Sequence, residues 1–158
     1  GSDHVQCPTP DLVVRTVVEQ FQKAAASRNV SLEVDCKSGN PTLNVQEDHL
    51  VEITSRLVDN AIKFSKRDGG HVQITTGSQH DMWLLAVSDE GTGIRKEALS
   101  WIFEAFRQVD RGRLEQQGSG IGLTIVRGLV EAYGGDVHVH STPGQGSTFY
   151  ASLPVAAA

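Results

Sequence analysis

The feature that most constrains the fold is an apolar run, Met82–Ser88, that ends directly in the glycine-punctuated stretch Asp89–Gly93. A strand with almost no polar residues belongs in the middle of a sheet. A carboxylate at the end of such a strand can accept a hydrogen bond from an exocyclic amine such as adenine N6, and the glycines after it let the backbone approach a ring closely. Because Asp and Gly are also common turn residues, this stretch alone does not separate a ligand site from a turn.

The rest of the hydrophobic pattern alternates between helix and strand. Helical spacing predicts helices over residues 11–28, from an N-cap at Asp48 to about residue 66, over 96–103, and from the glycines at 118–123 to about residue 133. Strand-like segments lie at residues 31–34, 42–45, 71–77, 82–88, 136–140 and 147–153. This order predicts an α/β sandwich with a mixed sheet and helices packed on one face. Residues 107–118 are polar and aperiodic, which is typical of a mobile loop.

Composition narrows the class of protein. The 158 residues fit a single domain over 3–158, with Gly1 and Ser2 as a cloning remnant. No apolar run approaches the roughly 20 residues that span a bilayer, and no signal peptide opens the chain, so we expect a cytoplasmic domain without membrane contact. The net charge of −5 and the lack of a basic block argue against nucleic acid as a partner. Cys7 and Cys36 have no CxxC partner, which excludes a cysteine zinc site.

The predicted helix over 48–66 carries a polar stripe. Stepping about 100° per residue places Leu50, Ile53, Leu57, Ala61 and Phe64 on one arc and Glu52, Arg56, Asp59 and Lys63 on the other. Asn60 falls at the boundary, where its amide oxygen suits Mg²⁺, an ion that usually keeps waters and substrate phosphates. Lys63 could reach the same phosphates as a point charge. An ordinary amphipathic helix with a solvated polar stripe fits the same pattern.

The glycine cluster at 118–123 has the form G-x-G-x-G at a helix start. Such glycines expose backbone N–H groups where the helix dipole is positive, so they favour phosphate oxygens. The cluster is not a Walker A loop, because no Lys-Ser or Lys-Thr follows it, and no βαβ unit makes it a dinucleotide fingerprint. Glycine flexibility without a ligand remains the alternative.

Five segments in this order carry a resemblance to a known family. They are residues 57–65 (LVDNAIKFS), 89–94 (DEGTGI), 102–106 (IFEAF), 118–123 (GSGIGL) and 144–149 (GQGSTF). They look like the N box, G1 box, F box, G2 box and closing strand of the catalytic, ATP-binding domain of sensor histidine kinases, which is related to gyrase, Hsp90 and MutL-type ATPases. The resemblance covers residues 11 to 154, nearly the whole chain.

The resemblance implies a fold, a cofactor pair and a set of site residues. The fold would be of the Bergerat type, a mostly antiparallel mixed sheet with three helices on one face, and ATP would lie under a flexible lid at 107–118. The implied nucleotide-binding residues are Asn60, Lys63, Phe64, Asp89, Gly91, Gly93, Ile94, Gly118, Ser119, Gly120, Gly122, Leu123 and Thr148. Asn60 would hold Mg²⁺ and Lys63 would contact phosphate. Asp89 would bind adenine N6, and Phe64 would pack near the ring.

The implied activity is transfer of the γ-phosphoryl group of ATP to a histidine. The acceptor would lie on the dimerisation domain of the parent kinase, with a response regulator downstream in a two-component system, because the chain has no His-Glu-Leu-Arg-Thr-Pro motif of its own. The expected catalytic residues are Asn60, Lys63, Arg56 and the lid residue Arg107, with Arg111 and Arg113 as alternatives to Arg107.

Arg56 departs from the family pattern. The family usually carries Asn, His or Glu four residues before the N-box asparagine, and a guanidinium with a pKa above about 12 is a poor general base. Glu52 is spaced to pair with Arg56 at i,i+4. This departure leaves open a degenerate nucleotide-binding regulatory module, a pseudokinase. A gyrase-type ATPase is disfavoured because no Glu stands at this position to activate water, and the F box and closing strand match sensor kinases better than anti-sigma serine kinases.

Overall fold

The computed structural model describes residues 6–65, 69–90, 119–142 and 144–157. Its helices are α1 (Pro10–Ala26), α2 (Glu47–Phe64) and α3 (Ser119–Ala132). Its strands are β1 (Val30–Cys36), β2 (Gly70–Gln79), β3 (Met82–Asp89), β4 (Asp136–Thr142) and β5 (Gly146–Pro154). The strands form one sheet in the order β1-β2-β3-β5-β4, in which β1 and β2 are parallel and the other pairs antiparallel. The predicted mixed sheet with β3 at its centre is confirmed.

Burial along β3 alternates strictly, because successive side chains of a strand point to opposite faces. Trp83, Leu85, Val87 and Asp89 are buried, whereas the residues between them are partly exposed. In the antiparallel register, the buried residues of β3 pair with Leu153, Ala151, Phe149 and Ser147 of β5, which are also buried. One face of the sheet therefore carries the core, and the helices cover it.

Helix α2 is the central helix, since it packs against both α1 and α3. Leu50, Ile53, Leu57 and Ala61 on its apolar arc are fully buried, as the stripe predicts. Each fully buried Leu or Ile stabilises the fold by about 1.5–3 kcal/mol. The opposite edge of α2 stays partly exposed, which leaves its polar stripe free to form a site. No helix in the described part of the chain is long and apolar enough to cross a bilayer.

Two local predictions were wrong. Residues 42–45 do not form a strand: Leu43 makes isolated bridges with Cys7 on one side and Val155 on the other. Helix α2 takes its N-cap from Gln46 rather than Asp48, which lies in the first turn, where a carboxylate favours the positive end of the helix dipole.

The connections determine which elements meet. Helix α2 ends at Phe64 and β2 begins at Gly70, so the end of α2 and the start of β2 lie at the same end of the molecule. In the β2–β3 register Val72 lies opposite Asp89. The end of β3 and the end of α2 are thereby brought to the same side, where the predicted site residues of both elements lie.

Candidate functional site

Asp89 is the last residue of β3 and is only 3% exposed. Its Oδ2 accepts a hydrogen bond of 2.8 Å from the Ser147 hydroxyl, which lies directly across the antiparallel pair on β5. Gly146, beside Ser147, has φ +121, and a Cβ on it would overlap the carbonyl oxygen of Asp89. Only glycine combines that conformation with so close an approach, so β5 holds Asp89 through both its side chain and its backbone.

Ser147 is a candidate site residue, through its contact with Asp89, that the sequence interpretation missed. The prediction had chosen its neighbour Thr148, but the Thr148 hydroxyl points to the other face of the sheet and hydrogen-bonds the Ser88 hydroxyl at 2.8 Å. The structure therefore does not bring Thr148 to Asp89. The signal was present: Ser147 shares the parity of the apolar residues Phe149 and Ala151, which predicts the same face.

Asn60 lies on α2 and is 5% exposed. Within the described ranges its buried side-chain nitrogen has no hydrogen-bond partner. Burying a polar group without a partner costs about 1–3 kcal/mol, so the arrangement is explained best by a ligand that completes it. A carboxamide can turn either its nitrogen or its oxygen towards that ligand, and the oxygen is a hard donor of the kind Mg²⁺ takes.

Two cations lie one turn on either side of Asn60, and each is paired with a carboxylate at i−4. Arg56 Nε lies 2.7 Å from Glu52 Oε2, and Lys63 Nζ lies 2.9 Å from Asp59 Oδ2. The acid precedes the base in both pairs, which is the favourable order on a helix. The two cations differ in their surroundings. The Lys63 side chain is 55% exposed, whereas the Arg56 side chain is 35% exposed and lies beside α3.

Helix α3 begins inside the predicted glycine cluster. Its first residues, Ser119 and Gly120, leave backbone N–H groups of the first turn without partners inside the helix. Arg56 Nη1 lies 3.5 Å from the point that a Cβ on Gly122 would occupy, an ordinary van der Waals separation, so the guanidinium lies beside α3. Leu123, predicted as a nucleotide contact, is buried in the core.

Of the other predicted site residues, Phe64 lies in the described part of the chain and the rest lie outside it. Phe64 is partly buried and packs against the core where α2 ends. The remaining predictions, Gly91, Gly93, Ile94, Arg107 and Gly118, lie outside the described residues, as do the proposed lid and the helix over 96–103.

The described residues include neither a reactive cysteine nor a cluster of metal-ligating side chains. Burial raises the pKa of both the Cys7 and the Cys36 thiol, so both stay protonated at neutral pH and are poor nucleophiles and poor metal ligands. No group of three or more His, Cys, Asp or Glu side chains among the described residues is placed to hold a metal ion. Asn60 stays the predicted metal ligand.

The chain is similar to known proteins in both sequence and structure. Residues 45–157 match the family model described as histidine kinase-, DNA gyrase B- and HSP90-like ATPase. The adaptive-response sensory kinase SasA of Prochlorococcus marinus is 35% identical over 90% of this chain and 38% of its own length. The alginate biosynthesis sensor protein KinB of Pseudomonas aeruginosa is 33% identical over 94% of this chain and 24% of its own length. Full-length ShkA, solved in complex with AMPPNP, superposes with a TM-score of 0.80 at 30% identity, covering 99% of this chain and 32% of that one.

The chain belongs to the histidine kinase-, DNA gyrase B- and HSP90-like ATPase family. Within that family it corresponds to the kinase catalytic domain of sensor histidine kinases. It spans less than two-fifths of the length of the relatives named above.

Proposed function

We propose that this domain binds Mg·ATP and supplies the γ-phosphoryl group to a histidine on the dimerisation domain of its parent kinase. The observation that carries the proposal is the buried Asn60 carboxamide, whose nitrogen has no partner in the described part of the chain and which is flanked on its helix by two cations. The AMPPNP complex of ShkA supports nucleotide binding in a structural relative. A response regulator then receives the phosphoryl group, and the domain acts in the cytoplasm, where ATP is the donor.

We propose a role for each predicted site residue, based on the resemblance to the family and on the positions of the described residues. Asp89 accepts a hydrogen bond from adenine N6, and Phe64 packs against the ring. Lys63 exchanges its partner Asp59 for a phosphate, and the backbone N–H groups of Ser119, Gly120 and Gly122 bind phosphate oxygens. Asn60 would hold Mg²⁺, which when bound neutralises charge on the β- and γ-phosphates. Gly91, Gly93, Ile94, Gly118 and Arg107 are proposed to complete the site.

A histidine acceptor suits a site whose N box carries an arginine. A neutral imidazole, with a pKa of about 6.5, already offers a lone pair and needs no general base to become a nucleophile. Water would need one, and the position four residues before Asn60 holds Arg56, which is itself paired with Glu52. The described site therefore favours transfer to imidazole over hydrolysis of ATP.

The second candidate is a nucleotide-binding regulatory module without transfer. Arg56 is the observation that favours it, because the usual polar residue at this position is replaced. Both candidates predict nucleotide binding and differ only in phosphorylation of a supplied acceptor domain.

Calorimetric titration with AMPPNP, with and without Mg²⁺, tests the proposal. Wild type should bind with Mg²⁺ and at least about ten times more weakly without it. Asn60→Leu, which keeps the side-chain volume and removes the amide, should lose the Mg²⁺ dependence. No binding by folded wild type at millimolar nucleotide would overturn the proposal. Binding without phosphorylation of a supplied dimerisation domain would favour the regulatory module.

A further inference from the structure

Arg56 and Lys63 lie on opposite sides of Asn60 along helix α2. Both lie about one turn from Asn60, but Arg56 lies towards the N-terminus of the helix and Lys63 towards its C-terminal end. Asp89 lies at the same side of the molecule as the C-terminal end of α2, opposite Val72 near the start of β2. Arg56 is therefore on the side of Asn60 away from Asp89, about 6 Å further along the helix axis.

This order matches the order of groups in a nucleoside triphosphate. With the base at Asp89 and the metal-bound phosphates at Asn60, the terminal phosphate extends towards Arg56 and the first turns of α3. Arg56 reaches that region already, since its Nη1 lies against Gly122. Lys63, at the other end of the stripe, lies nearer the base and the inner phosphates, which a diphosphate also carries.

The charges in this region leave room for an anion. A guanidinium beside the N-terminal part of α3 faces the positive end of the helix dipole, which is unfavourable unless a negative group is present. Glu52 supplies part of that balance through Arg56 Nε. The four N–H groups of the two Nη atoms remain in the fork geometry that matches phosphate oxygens.

We propose that Arg56, held in place by Glu52, contacts the terminal phosphate and makes the site distinguish a triphosphate from a diphosphate. The proposal rests on the proposed nucleotide site and adds a role for a residue that departs from the family pattern. Arg56 contacts substrate, whereas Glu52 is a positioning residue that acts through Arg56. Arg56 and Glu52 thus make the site select the triphosphate, and neither acts as a general base.

Titration of AMPPNP and ADP in parallel tests this role. Arg56→Gln should weaken AMPPNP binding about tenfold, the loss of charge-assisted hydrogen bonds, and change ADP binding less than twofold. Arg56→Lys should fall between wild type and Arg56→Gln, because it keeps the charge and loses the fork. Arg127→Gln is the matched control: it breaks an i,i+4 pair on α3, Arg127 Nε to Glu131 Oε2 at 3.1 Å, and should leave both affinities unchanged.

Two Glu52 variants separate positioning from charge. Glu52→Gln keeps an oxygen that accepts from Arg56 Nε and should retain the preference for AMPPNP over ADP. Glu52→Ala removes the acceptor and should reduce that preference about fivefold. Near-ultraviolet circular dichroism confirms that each variant is folded.

The outcomes separate this inference from the proposed function. If wild type binds both nucleotides and Arg56→Gln weakens them equally, or weakens neither, the terminal-phosphate role is overturned and the nucleotide site stands. If folded wild type binds neither nucleotide, the proposed function fails and this inference fails with it.

Discussion

Asp11 and Asp89 are the two buried carboxylates in the described part of the chain, and strand β3 runs between them. Asp11, 7% exposed in the first turn of α1, accepts hydrogen bonds on one oxygen from Ser38 Oγ at 2.6 Å and from Trp83 Nε1 at 3.1 Å. Trp83 stands near the start of β3, and Asp89 is its last residue. Both carboxylates are hydrogen-bonded, so burial and hydrogen bonding alone do not mark a functional site.

The surroundings distinguish the two. Asp11 joins α1, the turn at 37–41 and β3, and it belongs to a closed set: its own N–H donates to Asn40 Oδ1 and its carbonyl oxygen accepts from the Cys36 thiol. Asp89 directly precedes the glycine-rich stretch 91–93 in the sequence, and it lies at the side of the molecule where α2 carries Asn60, whose side-chain nitrogen has no partner among the described residues. We infer that Asp11 holds the fold together and that Asp89 serves the ligand.

The largest effect expected is on stability, from Asp11→Ala. Removing the acceptor leaves the buried Trp83 N–H and Ser38 hydroxyl without a partner, which should lower the free energy of unfolding by about 3 kcal/mol. Urea denaturation measures this change. The control Asp35→Ala breaks the exposed pair with Lys37, at 3.2 Å, and should change stability by less than about 0.5 kcal/mol. Undiminished stability of Asp11→Ala would contradict the structural role.

Asp89→Asn should produce the converse result. The amide still accepts from Ser147, so the Tm should shift little, but an amide in place of the carboxylate weakens acceptance from adenine N6. We expect AMPPNP affinity to fall about 100-fold, near 2.7 kcal/mol, by calorimetry. If Asp11→Ala lowered the affinity of the folded protein as much, the division between the two carboxylates would be wrong.

The smallest expected effect comes from Ser147, which is compared with its neighbour Thr148 on β5. Ser147→Ala removes the hydroxyl that holds Asp89 and should weaken AMPPNP binding about tenfold. Thr148→Ala, on the opposite face of the same strand, should change binding less than twofold. Equal losses from both substitutions would indicate a general effect of weakening β5 rather than a contact through Asp89.

Much of the fold was predictable because it depends on local periodicity. The stripes of α2, the alternation in β3 and the Glu52–Arg56 pair follow from 3.6-residue and 2-residue repeats, and the structure confirms all three. The prediction failed at Leu43, whose bridges depend on Cys7 and Val155 at distant points of the chain. It also missed Asp11, because nothing near Asp11 in the sequence indicates an indole partner 72 residues away.

The candidate site shows the same division. Asn60 was predicted from its place between the apolar arc and the polar stripe of α2 and Asp89 from its place at a strand end, and the order of the motifs indicated the family. Only the tertiary structure decided that Ser147 rather than Thr148 holds Asp89, and that Arg56 leans on Gly122. The sequence alone sets which side chains share a face of each helix or strand, because covalent geometry fixes the repeat of each element. Which elements meet, and in what register, was decided by tertiary packing, because it depends on burying distant apolar faces together.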